Sequence, residues 1–225
     1  MTVTTTSLTR AAGVSAALAG AIFIAVQVGH PAMIVGSVET TEWVVRSTAK
    51  VVMAALALVG VTGIYLRQVR QTGVLGLIGY LLFGAGYLLM FAVEVVSAAV
   101  LPALTSAMPA YVNDVVVAAA GGTPVASIGG IQLVLNASGI GYMLGGLLLG
   151  IALFRAGIVA RWAAALLAVG TVATASLAVL PEAFNRPMAV PVGIALIGLG
   201  VSLFRNPRDA AAGTTAVAQA ERVAA

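Results

Sequence analysis

The 225-residue chain contains no cysteine. That excludes disulfide staples, thiolate metal sites and redox chemistry run through cysteine pairs. Histidine occurs once, as His30, so a centre that needs two imidazoles, such as a histidine-rich zinc or haem site, has no ligand set. Charge is scarce as well: 8% of residues are charged against 61% hydrophobic, and mean hydropathy is +1.10. That is too little polar surface to coat a soluble globule, and it leaves a polytopic membrane protein as the class. The pI near 10.0 does not signal nucleic acid, because the basic residues are scattered at the ends of apolar runs and not clustered. No phosphate-binding loop, dinucleotide fingerprint or metal-ligand spacing is present, so neither a cofactor nor a metal is expected.

Long apolar runs are what the chain has instead. A helical span takes roughly 20 apolar residues, and six runs of about that length occur, at about 11–35, 46–66, 73–101, 131–154, 162–180 and 188–204. The expected fold is all-α, a single transmembrane bundle over residues 10–204, with a flexible polar tail at 1–9 and a disordered tail at 205–225. The first run resembles a signal peptide only superficially. Its hydrophobic character continues through Val35 with no convincing cleavage site, and it reads as a retained span. Pro102 and Pro109 are expected to stop the third run, because proline removes a backbone donor and disfavours helix at the residue before it. The long break that follows, Thr105 to Gly130, holds VNDVVVAAA, which reads as a short interfacial helix.

Charge orients the six runs. With a cytoplasmic N-terminus, Arg10, Arg67, Arg70, Arg155, Arg161, Arg205, Arg208 and Arg222 fall inside, and only Arg46, Lys50 and Arg186 outside. Eight against three is a positive-inside bias, which predicts a multi-pass protein of the bacterial cell membrane with both termini cytoplasmic. The two halves would then have opposite orientation, as an inverted repeat requires, but no residue-level match supports one.

The third run carries one carboxylate, Glu94, and no basic residue. An ionisable group within a membrane-length segment is a functional-site hypothesis, since its insertion costs about 3 kcal/mol even on the lenient scale. Tyr80, Tyr87 and Glu94 follow one another at intervals of seven and share nearly one stripe. Counted from Gly73, Glu94 lies roughly 30 Å along the helix at about 1.5 Å per residue, near the outer edge of the hydrocarbon. Its bland reading is a carboxylate reaching for the headgroups. The sharper reading is an enclosed acid that donates a proton, because the apolar run continues to Leu104.

In the first outer loop Glu42, Arg46 and Lys50 are spaced by four along one helix face, with Glu39 and Trp43 on a neighbouring one. An interfacial helix with a Glu42–Arg46 pair and a Trp43 anchor accounts for them; alternatively Lys50 is the counter-charge of Glu94. Gln27, His30, Gln132 and Asn136 lie at comparable outer depth and would complete a polar pocket, although a lone histidine beside proline is more often a helix-end hydrogen bonder. Gly141-Tyr-Met-Leu-Gly145 and Gly146-Leu-Leu-Leu-Gly150 are small-residue packing motifs, pointing to tight packing or to a homo-oligomer through span 131–154. Asn136-Ala-Ser138-Gly139 faintly resembles the serine motif of rhomboid proteases, but those need a histidine on the last span and none exists here.

In size and span count the chain resembles small six-span actinobacterial membrane proteins. With Glu94 on an aromatic stripe and no cofactor motif, it also loosely resembles the membrane-bound terpene cyclases that act on prenylated indoles and meroterpenoids. That resemblance implies cofactor-free, proton-initiated cyclisation of a lipophilic isoprenoid or prenylated substrate. Glu94 would be the acid, with Tyr80, Tyr87 and Phe91 lining the path of the cation and Glu39, Glu42 or Asp114 as the base. The alternatives are a proton-coupled transporter or immunity protein for a lipophilic solute, with Glu94 and Lys50 as its proton-linked pair, and a non-enzymatic membrane scaffold.

Overall fold

The computed structural model of the chain describes residues 3–174 and 187–206, and every regular element among them is helical. α1 (Thr5–Ala25) begins inside the stretch expected to be a loose tail. The Thr4 hydroxyl accepts from the Ser7 N–H at 3.1 Å while the Ser7 hydroxyl accepts from the Thr4 N–H at 3.1 Å. This reciprocal box satisfies donors that a helix start otherwise leaves open. α1 also ends well short of Val35, turning at Gly29 with φ +61° just before Pro31. A one-turn α2 (Val35–Val38) leads into α3 (Thr41–Arg67), whose first turn is capped by the Thr40 hydroxyl accepting from the Trp43 N–H at 3.2 Å.

The third run departs most from expectation. α4 (Val69–Val95) is interrupted at Gly73, close to its expected start, by a φ of +58° that a side chain would resist. At the other end Pro102 does not stop the helix. The chain widens into a π turn at Val96–Val100 and continues as α5 (Leu101–Leu104). A proline inside an α-helix clashes with the carbonyl four residues back and leaves it no donor; a local widening relieves the clash. In the wider turn the Leu101 N–H bonds the Val96 carbonyl, so the Ser97 carbonyl would next look to residue 102, which has no N–H. The indole of Trp43 takes that place, donating from Nε1 to the Ser97 carbonyl at 3.1 Å.

α6 (Pro109–Ala119) occupies the expected interfacial stretch with Pro109 in its first turn, where a missing N–H costs nothing. It is followed by α7 (Gly130–Ala156), α8 (Arg161–Ala173), a short 3-10 turn at Pro187–Ala189 and α9 (Val190–Arg205). Among the described residues five helical stretches are long and apolar enough to cross a membrane: α1, α3, the Val69–Leu104 stretch, α7 and Pro187–Arg205. α8 is apolar but has 13 residues. The remainder of its expected run, residues 175–180, lies outside the described residues, as do Glu182, Arg186 and the tail beyond Asn206.

The six longest helices close a ring: α1 packs on α3, α3 on α4, α4 on α7, α7 on α8, α8 on α9, and α9 back on α1. Neighbours run antiparallel, so Gly13 meets Gly200 and Phe204 while Gly20 meets Gly193. The interior is filled by a cluster that includes Ala16, Met53, Ile64, Phe83, Tyr87, Leu149, Leu167 and Leu199. At the end away from Thr5 and Arg205, a smaller cluster of Val38, Trp43, Leu101, Val112, Val115, Val116 and Ile128 forms a cap from α2, α6 and the loop after it.

The α4–α7 seam is the most extensive, and glycine lets its backbones approach. A methyl group on Gly145 would fall on the backbone of Phe83, and one on Gly86 on the backbone of Tyr142. Gly146 and Gly150 point elsewhere, against Thr171 and Ala168 of α8. Both small-residue motifs of α7 are therefore taken up within the chain, on two faces. Tight packing, one of the two expectations for these glycines, is what they serve against α4 and α8.

Candidate functional site

Between the ring's apolar interior and the cap lies a cavity of about 550 Å³. α3 and α4 supply its charged groups. Lys50 Nζ stands 3.3 Å from Glu94 Oε1, with 17% of the lysine side chain and 14% of the glutamate side chain exposed. Both line the cavity, together with Gln27 from the end of α1. The expected counter-charge is thus realised between two helices. Around the pair the wall is largely apolar: Phe23, Met33, Met53, Met90, Leu101 and Val116 contribute, together with Trp43 and Tyr142.

Trp43 is held from two directions. Its indole N–H is fixed by the Ser97 carbonyl, and the His30 ring stands edge-on to it at 6.3 Å between centroids. Ser97 in turn shares a hydroxyl hydrogen bond of 3.1 Å with Ser47. The π turn therefore brings a backbone carbonyl and a hydroxyl to the cavity wall where a regular helix would keep the carbonyl for itself.

The expected aromatic column does not reach this cavity as a unit. Tyr80 stacks on Tyr65 at 4.5 Å and shares a 3.1 Å hydrogen bond with Thr62, closing the α3–α4 seam. Tyr87 is fully buried between Phe83 and Tyr142, at 4.9 and 5.8 Å between ring centroids. Phe91 packs against the ring interior. None of these three lines the cavity.

The expected bases also have other duties. Glu42 forms a 2.8 Å ion pair with Arg46, which donates from Nη1 to the Val26 and Val28 carbonyls at 3.1 and 2.7 Å. The pair therefore ties α3 to the end of α1 and anchors carbonyls that a helix end leaves open. Asp114 is buried and accepts from two backbone donors, Val125 N–H at 3.0 Å and Ala126 N–H at 2.9 Å, which folds the loop after α6 back onto that helix. Glu39 is exposed just after α2. Of the outer polar residues, Gln132 donates to Asn136 at 3.0 Å on the surface of α7, and the His30 Nδ1 lies 2.8 Å from the Pro31 carbonyl at the turn after α1. Neither group lines the cavity, and Gln27 alone of those four does.

Two site residues escaped the sequence reading. Ser97 becomes accessible through the π turn that Pro102 induces, so the proline was the signal. Tyr142 sits inside the glycine motif of α7, where packing explained every neighbour. Its side chain is 5% exposed and lines the cavity, and among the described residues its hydroxyl has no hydrogen-bond partner. Among the described residues no group of three or more His, Asp or Glu is close enough to hold a metal ion. The chain matches no family model, no curated protein and no solved structure.

Proposed function

We propose that the protein is a six-span protein of the bacterial cell membrane, with both termini cytoplasmic, that binds a lipophilic small molecule in this cavity and moves it together with a proton. The orientation rests on charge: among the described residues Arg10, Arg67, Arg70, Arg155, Arg161 and Arg205 lie at the end where α1 begins, and only Arg46 and Lys50 at the other. The observation that carries the functional reading is the Lys50–Glu94 pair, contributed by two different helices and facing an otherwise apolar cavity. Ionisable groups in such a wall are expensive and mark solute or proton pathways. A polar group on the solute that engages the Lys50 ammonium draws it from Glu94 and weakens the charge compensation of that carboxylate in a low-dielectric wall. Uptake of a proton relieves that charge, so solute occupancy and protonation are linked.

The test uses purified protein in liposomes loaded with a pH-reporting dye and challenged with a panel of lipophilic solutes. A saturable, solute-dependent proton flux that disappears in Glu94→Gln is expected. Flux unchanged in that variant, or none across the panel, would overturn the proposal.

One observation favours a second reading, the proton-initiated cyclase: Glu94 shares its cavity with two aromatic residues, Trp43 and Tyr142, whose rings would stabilise a carbocation. It predicts a product isomer of unchanged mass from a prenylated aromatic, formed without nucleotide or metal and lost in Glu94→Gln. Glu94 is the one carboxylate among the described lining residues, so the geometry favours solute binding.

A further inference from the structure

The end of the ring where α1 begins and α9 ends carries charge of one sign. Arg10, Arg67, Arg70, Arg155, Arg161 and Arg205 lie there, whereas the described acids, Glu39, Glu42, Glu94 and Asp114, belong to the other half of the ring or to its cap. Among the described residues no ion pair joins any of these six arginines to an acid.

Arg10 stands beside a groove. Along the α1–α9 seam Gly13, Val14, Ala17, Gly200, Val201 and Phe204 line a wholly apolar hollow of about 230 Å³. A methyl on Gly13 or Gly200 would fall on the backbone of the other helix, so the two helices touch directly here. Val14, Val201 and Phe204 are exposed, which puts the groove on the outer face of the ring. Arg10 is itself exposed, one turn before Val14, and its guanidinium carbon lies 5.7 Å from the centroid of the Phe204 ring. Attraction to the ring holds the cation at the groove without consuming its N–H groups. Among the described residues those groups bind nothing else.

In a membrane the groove alone selects no occupant, because lipid tails are as apolar as its walls. The cation beside it does select. A phosphate at Arg10 makes charge-assisted hydrogen bonds and relieves part of the one-signed field, while its acyl chain runs on into the groove. A second copy of the chain is disfavoured there: inserted in the same orientation, it would bring its own arginines to the same level. We propose that the outer face of the α1–α9 seam binds an anionic phospholipid, its phosphate on Arg10 and the first part of one acyl chain between Val14, Val201 and Phe204. This rests on the membrane-spanning part of the reading above and not on the solute or the proton.

For the test, purified protein in detergent is equilibrated with an equimolar mixture of phosphatidylglycerol and phosphatidylcholine of identical chains, and retained lipid is counted by native mass spectrometry. The parent is expected to retain phosphatidylglycerol with about fivefold preference. Arg10→Gln should erase that preference. Arg155→Gln removes the same charge at the same end, but from α7, across the ring from α1, and should keep it. Val201→Trp, which crowds the groove and leaves Arg10 in place, is expected to weaken retention. The assignment is overturned by no preference in the parent, by a preference that survives Arg10→Gln or is lost equally in Arg155→Gln, by unchanged retention in Val201→Trp, or by displacement with soluble glycerol phosphate. Each of those outcomes leaves the solute and proton reading standing. A chain that stays dispersed in buffer without detergent would instead sink the membrane reading, and this one with it.

Discussion

Lys50 on α3 and Glu94 on α4 meet at 3.3 Å in the wall of the cavity, 44 positions apart in sequence, and each is the other's compensation in an apolar setting. Removing one partner leaves an uncompensated charge, whereas removing both leaves a packed apolar seam. Lys50→Met or Glu94→Leu alone is expected to destabilise the detergent-solubilised protein by up to about 3 kcal/mol, at the low end of the range because both side chains retain some exposure. The double variant should recover most of that loss in a thermal unfolding series. Strict additivity of the two changes would show that the pair carries no coupling.

The Trp43–Ser97 hydrogen bond answers a vacancy that Pro102 creates. Trp43→Phe keeps the ring but leaves the Ser97 carbonyl without its indole donor, at a cost of about 1–3 kcal/mol. Pro102→Ala restores a backbone N–H that can reach that carbonyl. Trp43→Phe should therefore be less damaging in the Pro102→Ala background than in the parent. Equal losses in both, measured as shifts in the unfolding midpoint, would refute this account of the π turn.

Gly145 and Gly139 lie on the same helix in opposite circumstances. A methyl on Gly145 collides with the Phe83 backbone, while one on Gly139 meets nothing within 4 Å. Gly145→Ala is expected to destabilise by about 1–3 kcal/mol through forced separation of α4 and α7, and Gly139→Ala to be neutral or mildly stabilising. Equal unfolding temperatures for the two variants would contradict the described seam.

Asp114 serves the loop, with both carboxylate oxygens engaged by the Val125 and Ala126 amides. Asp114→Ala should speed hydrogen exchange at those two amides more than elsewhere in α6, and Asp114→Asn, which keeps one acceptor oxygen, should fall between. In the liposome assay Asp114→Asn is expected to retain proton flux. Its loss with unchanged exchange at Val125 and Ala126 would return Asp114 to a chemical role.

What the sequence made legible was what periodicity and scarcity encode. A single acid in a long apolar run and a single lysine at matching depth were enough to anticipate the Lys50–Glu94 pair. The stripe of Tyr80, Tyr87 and Glu94 was a sound statement about one helix face, but its members span about 21 Å of axis. Over that length the face meets different neighbours: Tyr65 of α3 beside Tyr80, Tyr142 of α7 beside Tyr87, and the cavity beside Glu94. A shared stripe does not make a shared site. Asp114 was misread for a different reason. Its partners lie eleven and twelve residues downstream in an aperiodic loop, where no spacing rule connects a carboxylate to the amides it binds. The end of α1 was misplaced because hydropathy continues past Ala25, whereas the backbone responds to Gly29 and Pro31.

The ring of helices has a consequence in time. Its closing seam joins α9 to α1, the last and first of the six in chain order. Until α9 arrives, Gly13 and Gly20 present a bare backbone groove, the kind of surface that another small-faced helix can fill. Every other seam joins helices that follow one another among the six and can form as soon as the second is made. The α1–α9 seam has the largest sequence separation and the latest opportunity, so the α9-facing side of α1 is the surface of the ring that stays uncovered longest.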